Sequence, residues 1–234
     1  MHTIHAHFPK PKKLRTRVQH ETMGDLLLSL GGISAERIRM NPTPGSATKR
    51  DLIRFHDRGT RLYELVEGTL VEKPMGHAES YVALELAFAL RTFLVTHDLG
   101  YCTGSDDLIE VMPRLVRGPD VSFTSWLKRP DMTVDSDAIS KVIPDLVVEV
   151  LSEKNTRAET ARKLGEYFLG GIRLVWVIDP RKRTAVAYTD PDTKTPVAEA
   201  GSLDGGDVLP GFRVPLAKLF ERLEKPKLKK RKRS

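Results

Sequence analysis

Apolar positions change their period several times along the chain. Thr22 to Leu30 reads as a short helix that Gly31-Gly32 ends. A polar stretch with Pro42, Pro44 and Gly45 follows and predicts a loop or arm. Leu62–Val66 and Thr69–Lys73 alternate like strands around Glu67-Gly68, which predicts a β-hairpin. From His77 to about Thr96 the period becomes helical, with Val82, Leu86, Ala89, Leu90 and Phe93 three and four apart. Gly100 breaks it. Strand-like runs follow at Leu108–Met112, Val116–Thr124, Leu146–Leu151, Leu174–Ile178 and Ala185–Tyr188. A second helix is predicted over 156–169, opened by a Thr156/Glu159 capping box and closed by Gly170-Gly171. This order predicts an α/β fold, a mixed central sheet flanked by helices.

Composition sharpens that picture. The 234 residues are 40% hydrophobic, enough for a core, and no apolar run is long enough to predict a membrane span. The single cysteine, Cys102, excludes an intramolecular disulfide and a cysteine-rich zinc fold, and fits a reducing, cytoplasmic setting. The net charge of +7 is unevenly placed. Residues 1–19 carry five bases and no acid, and Lys225–Ser234 carry seven bases and no acid. The middle, 20–224, holds 26 bases against 31 acids, about −5. The expected organisation is a basic disordered leader over 1–21, one domain over 22–223 and a basic disordered tail over 224–234. Either end serves solubility or grips a polyanion.

Common signatures are missing. The sequence has no phosphate loop, no Gly-x-Gly-x-x-Gly, no His-Glu-x-x-His and no Gly-x-Ser-x-Gly. The carboxylates are more telling. Asp120 follows Pro119 at the start of a strand run, and Glu149 lies inside the continuous apolar run Leu146–Leu151. A carboxylate in a strand buried on both faces is costly unless it is paired or binds a metal. An arginine or backbone donors would satisfy Glu149 in one case. In the other, Asp120 and Glu149 on adjacent strands make a magnesium site. Asp145 shares a face with Glu149 but lies about 13 Å away along the strand. Lys163, four residues after Glu159 on the second helix, borders the buried stripe and can reach back to Glu149.

These residues sit in a longer pattern. Tyr63-Glu64-Leu-Val-Glu-Gly68, Pro74, His77, Pro119-Asp120-Val, Leu146-Val-Val-Glu149-Val-Leu-Ser152, Lys163 with Tyr167 and Gly171, Trp176-Val-Ile-Asp-Pro180 and Leu209-Pro-Gly-Phe212 occur in order. The chain resembles the Uma-two family, restriction-endonuclease-like proteins of the PD-(D/E)XK nuclease superfamily, over about residues 22–223. The resemblance implies a restriction-endonuclease-like sheet flanked by helices and a Mg²⁺-dependent endodeoxyribonuclease, with Mn²⁺ as a substitute ion. It implies Asp120 and Glu149 as metal ligands and Lys163 as the lysine that many relatives carry two residues after the second acid. That slot is Leu151 here. It also brings in Glu64 near the metal shell and His77 as a group orienting water or phosphate. Asp145 is the poorer ligand. DNA is the implied partner, with a homodimer as a further expectation and no membrane. The alternative is a nuclease-fold protein that cuts poorly and acts as a DNA-binding or accessory module.

Overall fold

The computed structural model describes residues 20–58, 61–134 and 136–224. The leader 1–19 and the tail 225–234 lie outside the described residues. Two of the predicted elements set the frame. The hairpin forms from β1 (Tyr63–Val66) and β2 (Thr69–Glu72). Its turn residues Glu67 and Gly68 both have positive φ, 51° and 83°, the conformation that a two-residue hairpin turn needs. The long helix α3 runs from His77 to Thr96. Its inner face carries Val82, Leu86, Leu90 and Leu94, all buried. Truncating a leucine of this kind to alanine costs about 2–5 kcal/mol.

Six strands form the mixed central sheet in the order β10 (Lys194–Val197), β9 (Thr184–Tyr188), β8 (Leu174–Asp179), β7 (Leu146–Val150), β6 (Val121–Ser125) and β3 (Gly100–Thr103). Only β7 and β8 are parallel. The helix between them, α4 (Arg157–Leu169), is the crossover that a parallel pair requires. Residues alternate along β7. Leu146, Val148 and Val150 join the core under α3, whereas Val147 joins the core under α4. Asp145 and Glu149 therefore face the α4 side.

The chain departs from the expected strand pattern at one instructive point. Val116–Thr124 is not one strand. It divides into β5 (Leu115–Arg117) and β6, which belong to different sheets. Gly118-Pro119 is the break, because proline donates no ladder hydrogen bond. β5 joins a four-stranded sheet of order β2-β1-β5-β4, where β4 is Ile109–Met112. The polar arm also holds more structure than expected. It contains a 3₁₀ turn at Ala35–Arg37 and α2 (Lys49–Arg58). Thr48 and Asp51 exchange capping hydrogen bonds at the start of α2, and Leu52 is fully buried against the smaller sheet. The first helix is α1 (Met23–Ser29), as the sequence predicts. Near the C-terminal end, β11 (Ser202–Asp204), β12 (Arg213–Pro215) and α5 (Leu216–Leu219) close the core beside α3. Their apolar runs are too short to register as periodic.

Gly31 fixes the seat of the N-terminal segment. Its φ is +92°, and a Cβ there would lie 2.5 Å from the Glu159 backbone nitrogen. Only glycine lets this turn approach the first turn of α4 so closely.

Candidate active site

The space between the two sheets, roofed by α4, is where the buried charges meet. Glu149 near the end of β7 is 8% exposed, and Lys163 on α4 is 5% exposed. The Lys163 ammonium donates to both Glu149 oxygens, at 3.1 and 2.9 Å, and to Glu64 Oε1 at 3.1 Å. Tyr167, one helical turn after Lys163, donates its hydroxyl to Glu149 Oε1. Glu64 comes from β1. Its other oxygen accepts from Arg117 of β5 at 2.7 Å, and Oε1 also accepts the Gly118 N–H at 3.2 Å. Arg117 in turn donates to Glu166 of α4. Both sheets and α4 are thus tied by one charge network.

Asp120 stands immediately before β6, and Glu149 immediately follows Val148, which pairs with Val121. The adjacency expected from sequence is therefore present. Asp120 is 4% exposed. Its Oδ2 accepts the Val150 N–H at 2.5 Å, and its Oδ1 lies 2.7 Å from the Lys73 ammonium. Lys73 follows β2 directly and is itself buried.

Charges so placed shift one another. Burial pushes the Glu64 carboxyl up, but Lys163, Arg117 and Lys73 outweigh it and hold it down to about 2. Glu149 moves the other way. Burial dominates, and the neighbouring Asp120 and Glu64 add to it against Lys163, so its pKa is raised. Burial also opposes the charge of Lys163, yet Glu149 and Glu64 raise its pKa. Tyr167 is raised by burial first and then by both glutamates, which keeps its hydroxyl a donor.

The remaining residues singled out from the sequence make no hydrogen bond or ion pair with Asp120, Glu149 or Lys163 among the described residues, although Glu159 lines the same small cavity as Glu149 and Lys163. His77 is exposed at the first residue of α3 and makes no side-chain hydrogen bond to the described residues. Asp145, at the other end of β7, accepts the Ser125 N–H at 2.9 Å and pairs with Lys128 at 3.1 Å, so it anchors a turn. Glu159 is not the surface partner of Lys163 that the four-residue spacing suggests. Its backbone N–H donates to Thr156 Oγ1 at 2.9 Å, and its carboxylate, instead of closing the predicted capping box, accepts from Arg37 at 2.9 and 2.6 Å and from Asn155 at 3.1 Å.

Sequence reasoning missed Lys73, Arg117 and Glu166 as members of the network. Arg117 carried a readable signal, a charge at the end of the apolar pair Leu115-Val116. Lys73 carried a weaker one, since Glu72 separates it from Leu70-Val71. Tyr167 was visible in the family pattern, without a role.

The donor chemistry suits a hard divalent cation, since Asp120 and Glu149 offer carboxylate oxygens from adjacent strands. Space and charge are tighter. A cavity of about 10 Å³ lined by Glu149, Glu159, Lys163 and Tyr167 has room for one water at most. Among the described residues no group of three or more His, Cys, Asp and Glu side chains is arranged to hold an ion. The two lysines stand on the two acids, so an ion at this pair would meet Lys73 and Lys163 as its competitors or neighbours. A larger cleft of about 520 Å³ opens next to it between α4 and β8–β9, with Leu151, Arg157, Arg181 and Tyr188 in its wall.

A family model described as Uma2, a putative restriction endonuclease, matches residues 50–217. The chain belongs to the Uma2 (Uma-two) family. The match spans both sheets and every charged residue of the centre except Arg37. Among solved structures, the chain is similar to a crystal structure from Anabaena variabilis ATCC 29413, described as a putative nuclease belonging to DUF820. The two share 17% identity with a TM-score of 0.60, over 69% of this chain and 90% of that one. At this identity the likeness bears on the fold, which is mixed α/β in both. No curated protein matches the chain. No helix among the described residues is long and apolar enough to cross a membrane.

Proposed function

We propose that this Uma2 chain is a divalent-metal-dependent endodeoxyribonuclease, with Mg²⁺ or Mn²⁺ held by Asp120 and Glu149. The observation that carries the reading is the contact of Lys163 with Glu149 beside Asp120 on the neighbouring strand, whose charge Glu149 feels, in a family whose model is described as a putative restriction endonuclease. When bound, the ion would supply a water of lowered pKa and charge stabilisation for a phosphoryl group. Lys163 holds the Glu149 carboxylate in place through both oxygens and offers a fixed ammonium to the charge that builds on the phosphoryl oxygens. Tyr167 fixes the same carboxylate from the next turn. Lys73 and the Val150 N–H orient Asp120. Glu64, kept ionised, holds Lys163 protonated and in position. The reaction class is hydrolysis of a DNA phosphodiester.

A weak or non-cutting DNA-binding role has one specific support. The strand slot two residues after Glu149 is Leu151, and the lysine arrives from α4 already engaged with two carboxylates.

The deciding test is nicking of supercoiled plasmid with Mg²⁺ by wild type, Asp120→Ala and Glu149→Gln, with circular dichroism to check folding. Loss of nicking in both folded variants supports the enzyme. Equal nicking by all three overturns the site. DNA binding by wild type without any nicking favours the accessory reading.

A further inference from the structure

The cleft of about 520 Å³ between α4 and β8–β9 has no part in the charged centre, yet it shares a wall with it. Leu151, Asn155, Thr160, Leu164 and Val177 line both this cleft and the small cavity at Glu149 and Lys163. The floor of the cleft is apolar, with Leu151, Leu164, Val177, Val186 and the half-buried ring of Tyr188. Its rim carries Arg157, Arg181 and Lys182 against one acid in the wall, Asp179. Asp179, the acid of the Trp176–Pro180 pattern, caps the turn after β8. It accepts the N–H groups of Arg181 and Lys182 at 3.1 and 3.2 Å and the Lys182 ammonium at 2.7 Å, so it fixes both residues at the rim. Glu153 meets Arg181 from outside the cleft, at 4.0 Å. Arg157, the first residue of α4, is exposed and forms no ion pair among the described residues.

Charge and shape name the occupant. A cationic rim above an apolar floor with an aromatic ring suits a nucleotide, its phosphate at the rim and its base on the floor. The volume falls in the range of small-ligand sites, about 300–1,000 Å³. It has room for a nucleotide but not for a base pair with its two backbones. The two ends of the chain are basic and hold no acid, so either would meet a rim of its own sign. We propose that the cleft seats one unpaired nucleotide of the strand whose phosphate lies at Glu149 and Lys163, which makes single-stranded or locally unpaired DNA the substrate class. Leu151 then gives the base an apolar contact at the shared wall. The identity of the strand rests on the nuclease reading, whereas binding in the cleft requires no cleavage.

Fluorescence anisotropy of the full chain in Ca²⁺, at about 0.2 M salt to screen the two ends, tests it. A short labelled oligothymidine should bind more tightly than a blunt duplex or an abasic strand of the same length. Tyr188→Ser and, separately, Arg157→Glu should each raise the dissociation constant for oligothymidine at least about fivefold. Arg157→Glu should keep the fold, since an acid in the first turn of α4 is favoured by the helix dipole. Arg213→Glu makes the same charge change outside the cleft and should leave binding unaltered. Equal weakening by Arg157→Glu and Arg213→Glu, an abasic strand bound as tightly as oligothymidine, or no preference over duplex overturns the proposal. Plasmid nicking by wild type with cleft variants that bind like wild type rejects the cleft and leaves the nuclease reading standing. Single-strand binding that the cleft variants lose, in a chain that never nicks plasmid, upholds the cleft and rejects the nuclease reading.

Discussion

Lys163 and Glu149 are joined through both carboxylate oxygens, at 2.9 and 3.1 Å, across the turn from β7 into α4. The pair is buried, and Lys163 also holds Glu64. Removing the ammonium alone would leave the buried Glu149 with only the Tyr167 hydroxyl, whereas Glu64 would keep Arg117 and the Gly118 N–H. Lys163→Met should therefore destabilise the fold by about 3–5 kcal/mol and lower any metal-dependent cleavage by about 10²-fold or more. Adding Glu149→Gln to Lys163→Met should restore part of the stability and none of the cleavage. Thermal unfolding of the two single variants and the double variant measures this coupling. Additive losses would mean that the contact contributes nothing of its own.

The Lys163 contact also shows what was legible in the sequence. Glu149 was visible because a charge inside Leu146–Leu151 violates the pattern of a strand buried on both faces, and α4 was visible from its cap and period. The direction of Lys163 followed from helical spacing. Glu159 misled for the same reason: spacing places it beside Lys163, but only the fold brings Arg37 from a polar arm 122 residues away. The break of Val116–Thr124 into two sheets was signalled by Gly118-Pro119, yet which sheet each half joins depends on pairing with β1 and β7. Such long-range pairings leave no local periodicity. α2 was missed because its apolar residues, Leu52, Ile53 and Phe55, span barely one turn.

Asp145 separates a structural acid from the proposed ligands. It sits on the same face of β7 as Glu149 but receives the Ser125 N–H and the Lys128 ammonium. Asp145→Ala should lower stability by about 1–3 kcal/mol through the unsatisfied donors. Magnesium affinity, read by calorimetry, should match wild type. A large loss of magnesium binding at unchanged fold would move Asp145 into the site.

Acid should loosen the N-terminal segment through Glu159. Burial pushes its carboxyl up, but the Arg37 hydrogen bonds and Lys163 outweigh it, so its pKa is lowered. A carboxyl lowered in the folded state binds its proton more readily when unfolded. Its stabilisation is thus fully present above the ordinary carboxylate range, near pH 4.5, and is lost as pH falls through the lower folded value. Glu64, held down to about 2, acts in the same direction between about pH 4.5 and 2. The melting temperature of wild type should fall as pH drops below about 4.5. Glu159→Gln should start lower at neutral pH and fall less steeply. A parallel fall in both proteins would show that the Arg37–Glu159 pair does not set this dependence.

The basic ends should matter to DNA through charge alone. The middle of the chain is about −5, whereas residues 225–234 bring seven bases. Each base that neutralises a DNA phosphate releases a counterion, so binding weakens as salt rises. Deleting 225–234 should weaken binding to duplex DNA at low salt and flatten the plot of log affinity against log salt. The difference from wild type should shrink toward higher salt, because the lost contribution is the screened one. Fluorescence anisotropy with a labelled duplex at several salt concentrations, in Ca²⁺ to avoid cutting, measures both effects. Single-turnover cleavage at saturating protein should be unaltered by the deletion, since Asp120, Glu149 and Lys163 are untouched. An unchanged salt slope would assign these seven bases to solubility and leave DNA attraction to the cationic residues of the folded domain.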